Sequence, residues 1–155
     1  MSWSLIVFLG LNFATALSGS YFKPGEWHQN LTKPSWHPPN WAFPLVWSLL
    51  YLFNAVAGWL VWSKTGIEGP GLFAMIIYAI GLVLNAGWSA IFFGLRQIRL
   101  ALAEACLLWL SIAVQMIAFL SIDTIAGLLI APYLIWVSIA ILLNRSMLKL
   151  NPSEA

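Results

Sequence analysis

Long apolar segments alternate with short polar ones along the chain. A helix needs about 20 mostly apolar residues to span a bilayer, and five segments meet that length. They cover residues 3–22, 42–63, 71–95, 100–122 and 124–148. All the connections except residues 23–41 are short, and short connections favour antiparallel neighbours. The pattern therefore predicts an all-α membrane protein, a single domain over residues 1–155 in which five transmembrane helices form a bundle.

The long connection, residues 23–41, is rich in tryptophan and proline. Together with the start of the second span it forms the run WHQNLTKPSWHPPNWAFPLVWSLLY, residues 27–51. Its first part is too polar and too often interrupted by proline for a membrane helix. We predict a long, stiff Trp/Pro-rich loop between the first two helices, placed as a lid over the bundle.

Composition narrows the class of protein. The chain is 61% hydrophobic and 8% charged, whereas soluble domains carry about 25% charged residues. Its one cysteine, Cys106, excludes a disulfide framework and a cysteine-based metal cluster. The sequence has no catalytic Ser/His/Asp set, Gly-rich phosphate loop or metal-spaced cluster. Conventional catalysis is poorly supported, and we expect neither a metal nor a required cofactor.

The positive charges indicate an orientation in the membrane. Five spans place the two termini on opposite sides. One side carries Lys64 alone, and the side of residues 23–41 carries six cations: Lys23, Lys33, Arg96, Arg99, Arg145 and Lys149. Because cytoplasmic loops are enriched in Lys and Arg, we predict that residues 23–41 and the C-terminus are cytoplasmic and the N-terminus is outside.

Each predicted helix carries a polar or aromatic-polar face. Successive residues turn by about 100°, which groups side chains on single faces. The groups are Asn12, Thr15 and Gly19; Trp47, Tyr51 and Asn54; Asn85, Trp88 and Phe92; Glu104, Ser111 and Gln115; and Tyr133, Trp136, Ala140 and Asn144. Such faces in a membrane line a cavity or bond helices to one another. Both interpretations stay open, although Asn85 with Trp88 favours the cavity.

Ten tryptophans are distributed unevenly over these elements. Trp3, Trp41, Trp59 and Trp62 lie near predicted helix ends, as interfacial tryptophans do. Trp109 has no polar companion on its face, which indicates packing against lipid or core. Indole rings on a cavity face suit a large, planar, apolar ligand with a polar edge, such as a porphyrin or a sterol. The candidate ligand-binding residues are Trp27, Trp36, Trp47, Tyr51, Asn85, Trp88, Tyr133 and Trp136.

Two further features each have two interpretations. His28 and His37 are interpreted as solvated loop side chains, the alternative being axial ligation of a metalloporphyrin by one of them. Ala86, Ala90 and Gly94 recur at four-residue spacing opposite Asn85. A face of small residues lets a second helix approach closely. It predicts either a homodimer interface or packing within the chain.

Several motifs resemble a known family. The run Trp27-x3-Leu31-x-Lys33-Pro34-x-Trp36-x-Pro38-Pro39 is followed by Phe43-x3-Trp47-x3-Tyr51. Asn85-x2-Trp88 precedes Phe92-Phe93-Gly94, and Pro132-Tyr133-x2-Trp136 lies in the last span. These motifs, in this order, are similar to those of the tryptophan-rich sensory protein family, also called the translocator protein or peripheral benzodiazepine receptor family.

The resemblance implies a homodimeric five-helix membrane protein that binds tetrapyrroles such as protoporphyrin IX and haem. It implies a receptor or sensor that regulates or moves them. Two tryptophans that match Trp47 and Trp136 are implicated, in some bacterial relatives, in light-dependent breakdown of protoporphyrin. The alternatives are therefore a porphyrin-degrading enzyme, in which Trp47 and Trp136 are catalytic, and a transporter of sterol-like ligands.

The chain also departs from the family pattern. His28 stands where many members have tyrosine, which puts a tyrosine role there in doubt. After Tyr133 no Lys or Arg follows within five residues, so the cholesterol pattern of animal members is absent. Together with the lack of a transit signal, this favours a bacterial membrane and a ligand other than sterol.

Overall fold

The computed structural model describes residues 3–154 and is helical over most of that range. Met1, Ser2 and Ala155, which the predicted domain includes, lie outside the described residues. The long helices are α1 (Trp3–Tyr21), α3 (Ala42–Thr65), α4 (Pro70–Ser89), α5 (Ile98–Leu120) and α6 (Thr124–Leu150). Each is long and apolar enough to cross a membrane when α4 is counted with its continuation to Gly94. This agrees with the number of spans predicted from hydropathy.

The prediction of a long Trp/Pro-rich loop between the first two spans is wrong. A short helix, α2 (Glu26–Asn30), separates α1 from α3. The prolines of this segment flank α2 and leave its five residues free to turn, with Glu26 favourably placed in the first turn. The Lys33 ammonium donates to the carbonyls of His28, Gln29 and Leu31 at 2.7, 3.2 and 3.4 Å and so caps the end of α2. Residues 22–41 are called the α2 connection below.

The five long helices close into a ring. α1 packs on α3, α3 on α6, α6 on α5, α5 on α4, and α4 back on α1. Since consecutive long helices run in opposite directions, α1 ends and α3 begins at the same end of the ring as the last turns of α4 and α6. The α2 connection therefore lies across that end, together with the six cations that the sequence grouped on one side.

The far half of the ring is closed by a chain of buried polar side chains. Asn12 donates to the hydroxyl of Tyr78, and Asn54 donates to the Oδ1 of Asn12 at 2.9 Å. Gln115 donates to the Oδ1 of Asn54 at 2.8 Å. These bonds join α1, α3, α4 and α5. In this part of the bundle the polar faces therefore bond the helices to one another, which is one of the two interpretations of the sequence.

At the same far end, an ion pair fixes the turn between α5 and α6. The Lys64 Nζ lies 2.6 Å from the Oδ2 of Asp123, and the Oδ1 of Asp123 accepts from the Ala126 amide at 2.8 Å as the N-cap of α6. The Lys64 hydrogen bond and the Ala126 amide hold the pKa of Asp123 below its ordinary value. Asp123 therefore stabilises the turn at neutral pH, and this contribution is lost as the pH falls through the lowered pKa.

The third span does not stay α-helical to its end. Ala90–Gly94 form a π-helix, in which the Leu95 amide donates to the Ala90 carbonyl at 2.8 Å. Phe92, within this wider turn, is buried in the core and is 2% exposed. π-helical turns of this kind occur frequently at functional sites.

We predict that Asn54→Leu destabilises the protein by about 2 kcal/mol, because the Oδ1 of Asn12 and the Nε2 of Gln115 are left without partners in hydrocarbon. The free energy of unfolding in mixed detergent micelles measures this. The control is Ser121→Ala, since Ser121 is exposed and bonds only the nearby Ala118 carbonyl. Equal stability of the two variants would show that the network does not hold the helices together.

Candidate functional site

A cavity of about 610 Å³ lies inside the ring beneath the α2 connection. All five long helices contribute to its wall, and the connection covers its open end. Its volume is within the range of about 300–1,000 Å³ that is typical of ligand sites. The wall is mostly apolar and aromatic, with a few polar groups at the two ends.

Asn85 of α4 forms the floor of this cavity. Its Oδ1 accepts from the Tyr51 hydroxyl of α3 at 2.6 Å, and its Nδ2 donates to the Tyr133 hydroxyl of α6 at 2.6 Å. One asparagine thus joins three helices that are distant in sequence. The floor is polar, but the three side chains satisfy much of one another's hydrogen-bonding capacity.

Aromatic rings form the walls above Asn85. Trp47 stacks on Tyr51 with ring centroids 5.6 Å apart. On the α6 side, Phe43 meets Trp136 edge to face at 5.7 Å. Trp88 stacks on Phe92 at 5.0 Å. The aromatic surfaces of these walls are suited to a flat apolar ligand.

The structure brings five of the eight predicted ligand-binding residues to the cavity. They are Trp47, Tyr51, Asn85, Trp88 and Trp136. Tyr133 is buried behind the floor, where it accepts from Asn85. Trp27 and Trp36 are not in the wall: the Trp27 Nε1 donates to the Oε2 of Glu154 at 2.8 Å, and Trp36 is 48% exposed.

Sequence reasoning placed this segment as a lid but missed which of its side chains line the cavity. His28, Lys33 and His37 all line it, together with Gln29 and Asn40, although the two histidines had been interpreted as solvated. The ring of His28 lies 5.3 Å from that of Phe93, and the ring of His37 lies 5.6 Å from that of Phe43.

Both histidines are uncharged at neutral pH. Burial, the charge of Lys33 and the nearby His37 lower the pKa of His28 to about 4. Burial is also the main cause that lowers the pKa of His37, against the opposing hydrogen bond to the Pro38 backbone. Among the described residues that line the cavity, the cover therefore presents one cation, Lys33, together with two neutral imidazoles.

The end of α6 fastens the α2 connection in place. Asn151 accepts from the Thr32 amide at 2.8 Å and donates to the Thr32 carbonyl at 2.9 Å. Trp27 adds the bond to Glu154 and an edge contact with Phe92 at 5.8 Å. The hydrogen bonds to Asn151 and Glu154 span more than a hundred residues of sequence, so the cover depends on the last residues of the chain.

Two of the three small residues predicted as a homodimer face, Ala86 of α4 and Gly94 of the π-helix, lie beside α1 or the residue that follows it. Ala86 borders a groove against α1. A Cβ on Gly94 would lie 3.0 Å from the ring of Phe22, so Gly94 makes room for the end of α1. The predicted homodimer face of Ala86, Ala90 and Gly94 stays a prediction.

These features define a class: an integral membrane protein of five apolar helices around an aromatic cavity. Residues 4–150 match the model of the TspO/MBR family. The chain belongs to this family.

Named relatives extend over nearly the whole chain. A tryptophan-rich sensory protein from Cereibacter sphaeroides is 42% identical over 152 residues, covering 97% of this chain and 94% of that protein. Protein CrtK of Rhodobacter capsulatus is 38% identical, with 88% of this chain and 86% of that protein covered. The translocator protein of Homo sapiens is 35% identical, with 92% and 89% covered. The resemblance found in the sequence motifs is therefore confirmed.

We predict that Asn151→Ala loosens the α2 connection, because two hydrogen bonds to Thr32 are lost. Bonds worth about 1 kcal/mol each should raise the rate of amide hydrogen exchange over residues 26–37 by about tenfold or more. Hydrogen exchange with mass spectrometry measures this. Ser146→Ala is the control, since Ser146 bonds only the Leu142 carbonyl of its own helix. Unchanged exchange in Asn151→Ala would show that the α6 end does not hold the cover.

Proposed function

We propose that this protein binds a flat, largely apolar tetrapyrrole, such as protoporphyrin IX or haem, in the cavity beneath the α2 connection. The observation that carries the proposal is the aromatic wall of Trp47, Trp88 and Trp136 over the hydrogen-bonded floor at Asn85. An extended ring system stacks favourably on indoles. Its polar edge needs a polar end of the cavity, which the floor and the Lys33 side both supply.

The proposed role is that of a membrane sensor or translocator for this ligand. Membership of the family and relatives named tryptophan-rich sensory protein and translocator protein support it. A covered cavity in the membrane suits both roles, since opening of the α2 connection would admit or release the ligand. Homodimerisation through Ala86, Ala90 and Gly94 belongs to the same proposal.

Titration with protoporphyrin IX, followed by tryptophan quenching, tests the site. We expect Trp47→Phe with Trp136→Phe to weaken binding about tenfold, because two indole surfaces are lost at about 0.5–1.5 kcal/mol each. Quenching should also fall.

The matched control is Trp3→Phe with Trp41→Phe, which removes two indoles that are 83% and 68% exposed and outside the cavity wall. Equal affinity and equal quenching in the two double variants would contradict the assignment of the site.

A second candidate function is light-dependent degradation of the bound porphyrin. It is favoured by the fact that Trp47 and Trp136 line the same cavity. A photoexcited porphyrin with dioxygen supplies the reactivity, and an adjacent indole supplies an electron. The protein's part would be to position and shield the ligand.

Illumination of the complex in air tests this candidate. We expect the porphyrin absorbance to fall faster than that of albumin-bound porphyrin, and Trp136→Phe to slow the loss several-fold. Loss at the albumin rate in the unaltered protein would leave binding as the only function of the site.

A further inference from the structure

Asn144 is a buried polar side chain of the cavity wall that makes no hydrogen bond to the rest of the described chain. It lies on α6 one turn beyond Ala140, lines the cavity and is 1% exposed. Among the described residues, neither its Oδ1 nor its Nδ2 has a hydrogen-bond partner. In hydrocarbon such an amide loses its hydrogen bonds to water without replacement. The two donors and the acceptor of Asn144 are therefore available to something absent from the chain itself.

The floor of the cavity differs in this respect. There Tyr51, Asn85 and Tyr133 bond one another, and a ligand would compete with bonds that already exist. The buried and unused hydrogen-bonding capacity among the described wall residues is near the covered end, at Asn144.

A second unpartnered polar group lies at the same height. Trp109 of α5 donates to Ser138 of α6 at 2.8 Å, which sets the register of this antiparallel pair. Glu104 is five residues before Trp109 and Asn144 is six after Ser138, so at a rise of about 1.5 Å per residue they lie at nearly the same level. Both carboxylate oxygens of Glu104 are buried, and no residue within 3–154 bonds to either of them. Glu104 does not line the cavity, so direct contact with a ligand is assigned to Asn144 alone.

The positive charge at this end of the cavity favours one orientation of a bound ligand. Lys33 lies in the cover at this end of the cavity. Its ammonium donates to three carbonyls at the end of α2, so it acts on a ligand through its charge. The body of the cavity below is apolar and aromatic. A ligand with an apolar ring system and a carboxyl edge is complementary to this arrangement only when its carboxyl edge points toward the α2 connection.

We propose that Asn144 is the polar anchor of the cavity and binds the carboxyl edge of a flat apolar ligand, so that this edge faces Lys33 and the ring system contacts Trp47 and Trp136. The inference rests on the proposed function. It adds the orientation of the ligand and a preference for a free acid over its ester.

The test compares protoporphyrin IX with its dimethyl ester, by tryptophan quenching. A carboxylate accepts a stronger hydrogen bond than an ester carbonyl. We expect Asn144→Leu to reduce the preference for the acid by about fivefold. Because the result is a ratio of two ligands in two proteins, unequal partition of the ligands into detergent cancels.

Two further variants keep the test decisive. Asn144→Asp is nearly isosteric, so it retains the packing, but it removes the donor and adds a repelling charge. It should therefore weaken binding of the acid more than that of the ester. Ser111→Ala is the matched control, since the Ser111 hydroxyl is also buried without a partner but lies outside the cavity wall. It should leave both affinities unchanged.

The possible outcomes separate the two proposals. Binding of protoporphyrin by the unaltered protein, with the same acid preference in Asn144→Leu and Asn144→Asp, would overturn the anchor and leave the proposed function standing. In that case an ordered water satisfies Asn144. Failure of the unaltered protein to bind protoporphyrin would overturn the proposed function, and the anchor with it.

Discussion

The hydrogen bonds of Asn85 are the interactions on which the cavity depends. A five-helix ring in a membrane gains little from burying apolar surface, because the lipid is as apolar as the helix faces. Position must then be set by directional contacts. Asn85 receives a hydrogen bond from Tyr51 and gives one to Tyr133, which fixes α3, α4 and α6 at one level. Because Trp47, Trp88 and Trp136 lie on these three helices, the same hydrogen bonds also fix the positions of the aromatic walls.

The two halves of the ring use polar residues in different ways. In the far half, Asn12, Asn54 and Gln115 bond one another and close the bundle. In the near half, polar groups lie at the edges of a cavity, and Asn144 remains unpartnered. The same residue types therefore serve cohesion at one end and, by our proposal, recognition at the other. Sequence periodicity places both groups of polar residues on helix faces, but it does not show which group bonds helices together and which lines the cavity.

The spans and the wall residues of α3, α4 and α6 were predictable from the sequence, because hydropathy and helical rotation are local properties. Trp47, Asn85 and Trp136 follow from them. The predictions that were wrong or incomplete concern features that depend on contacts between distant residues or on local detail. α2 was overlooked because proline density was averaged over the whole segment. The indole of Trp109 has a partner, Ser138, on another helix. The cover at His28 and Lys33 depends on Asn151 and Glu154 at the far end of the chain.

The central claim is that the ligand lies inside the ring, under the α2 connection. A crystal structure of the complex with a zinc porphyrin tests it most directly, since anomalous scattering locates the metal independently of the protein coordinates. Our account predicts one strong anomalous peak between Trp47 and Trp136, above Asn85. A peak in the outer groove between α1 and α4, where Val7, Leu11 and Val83 face the membrane, would contradict it.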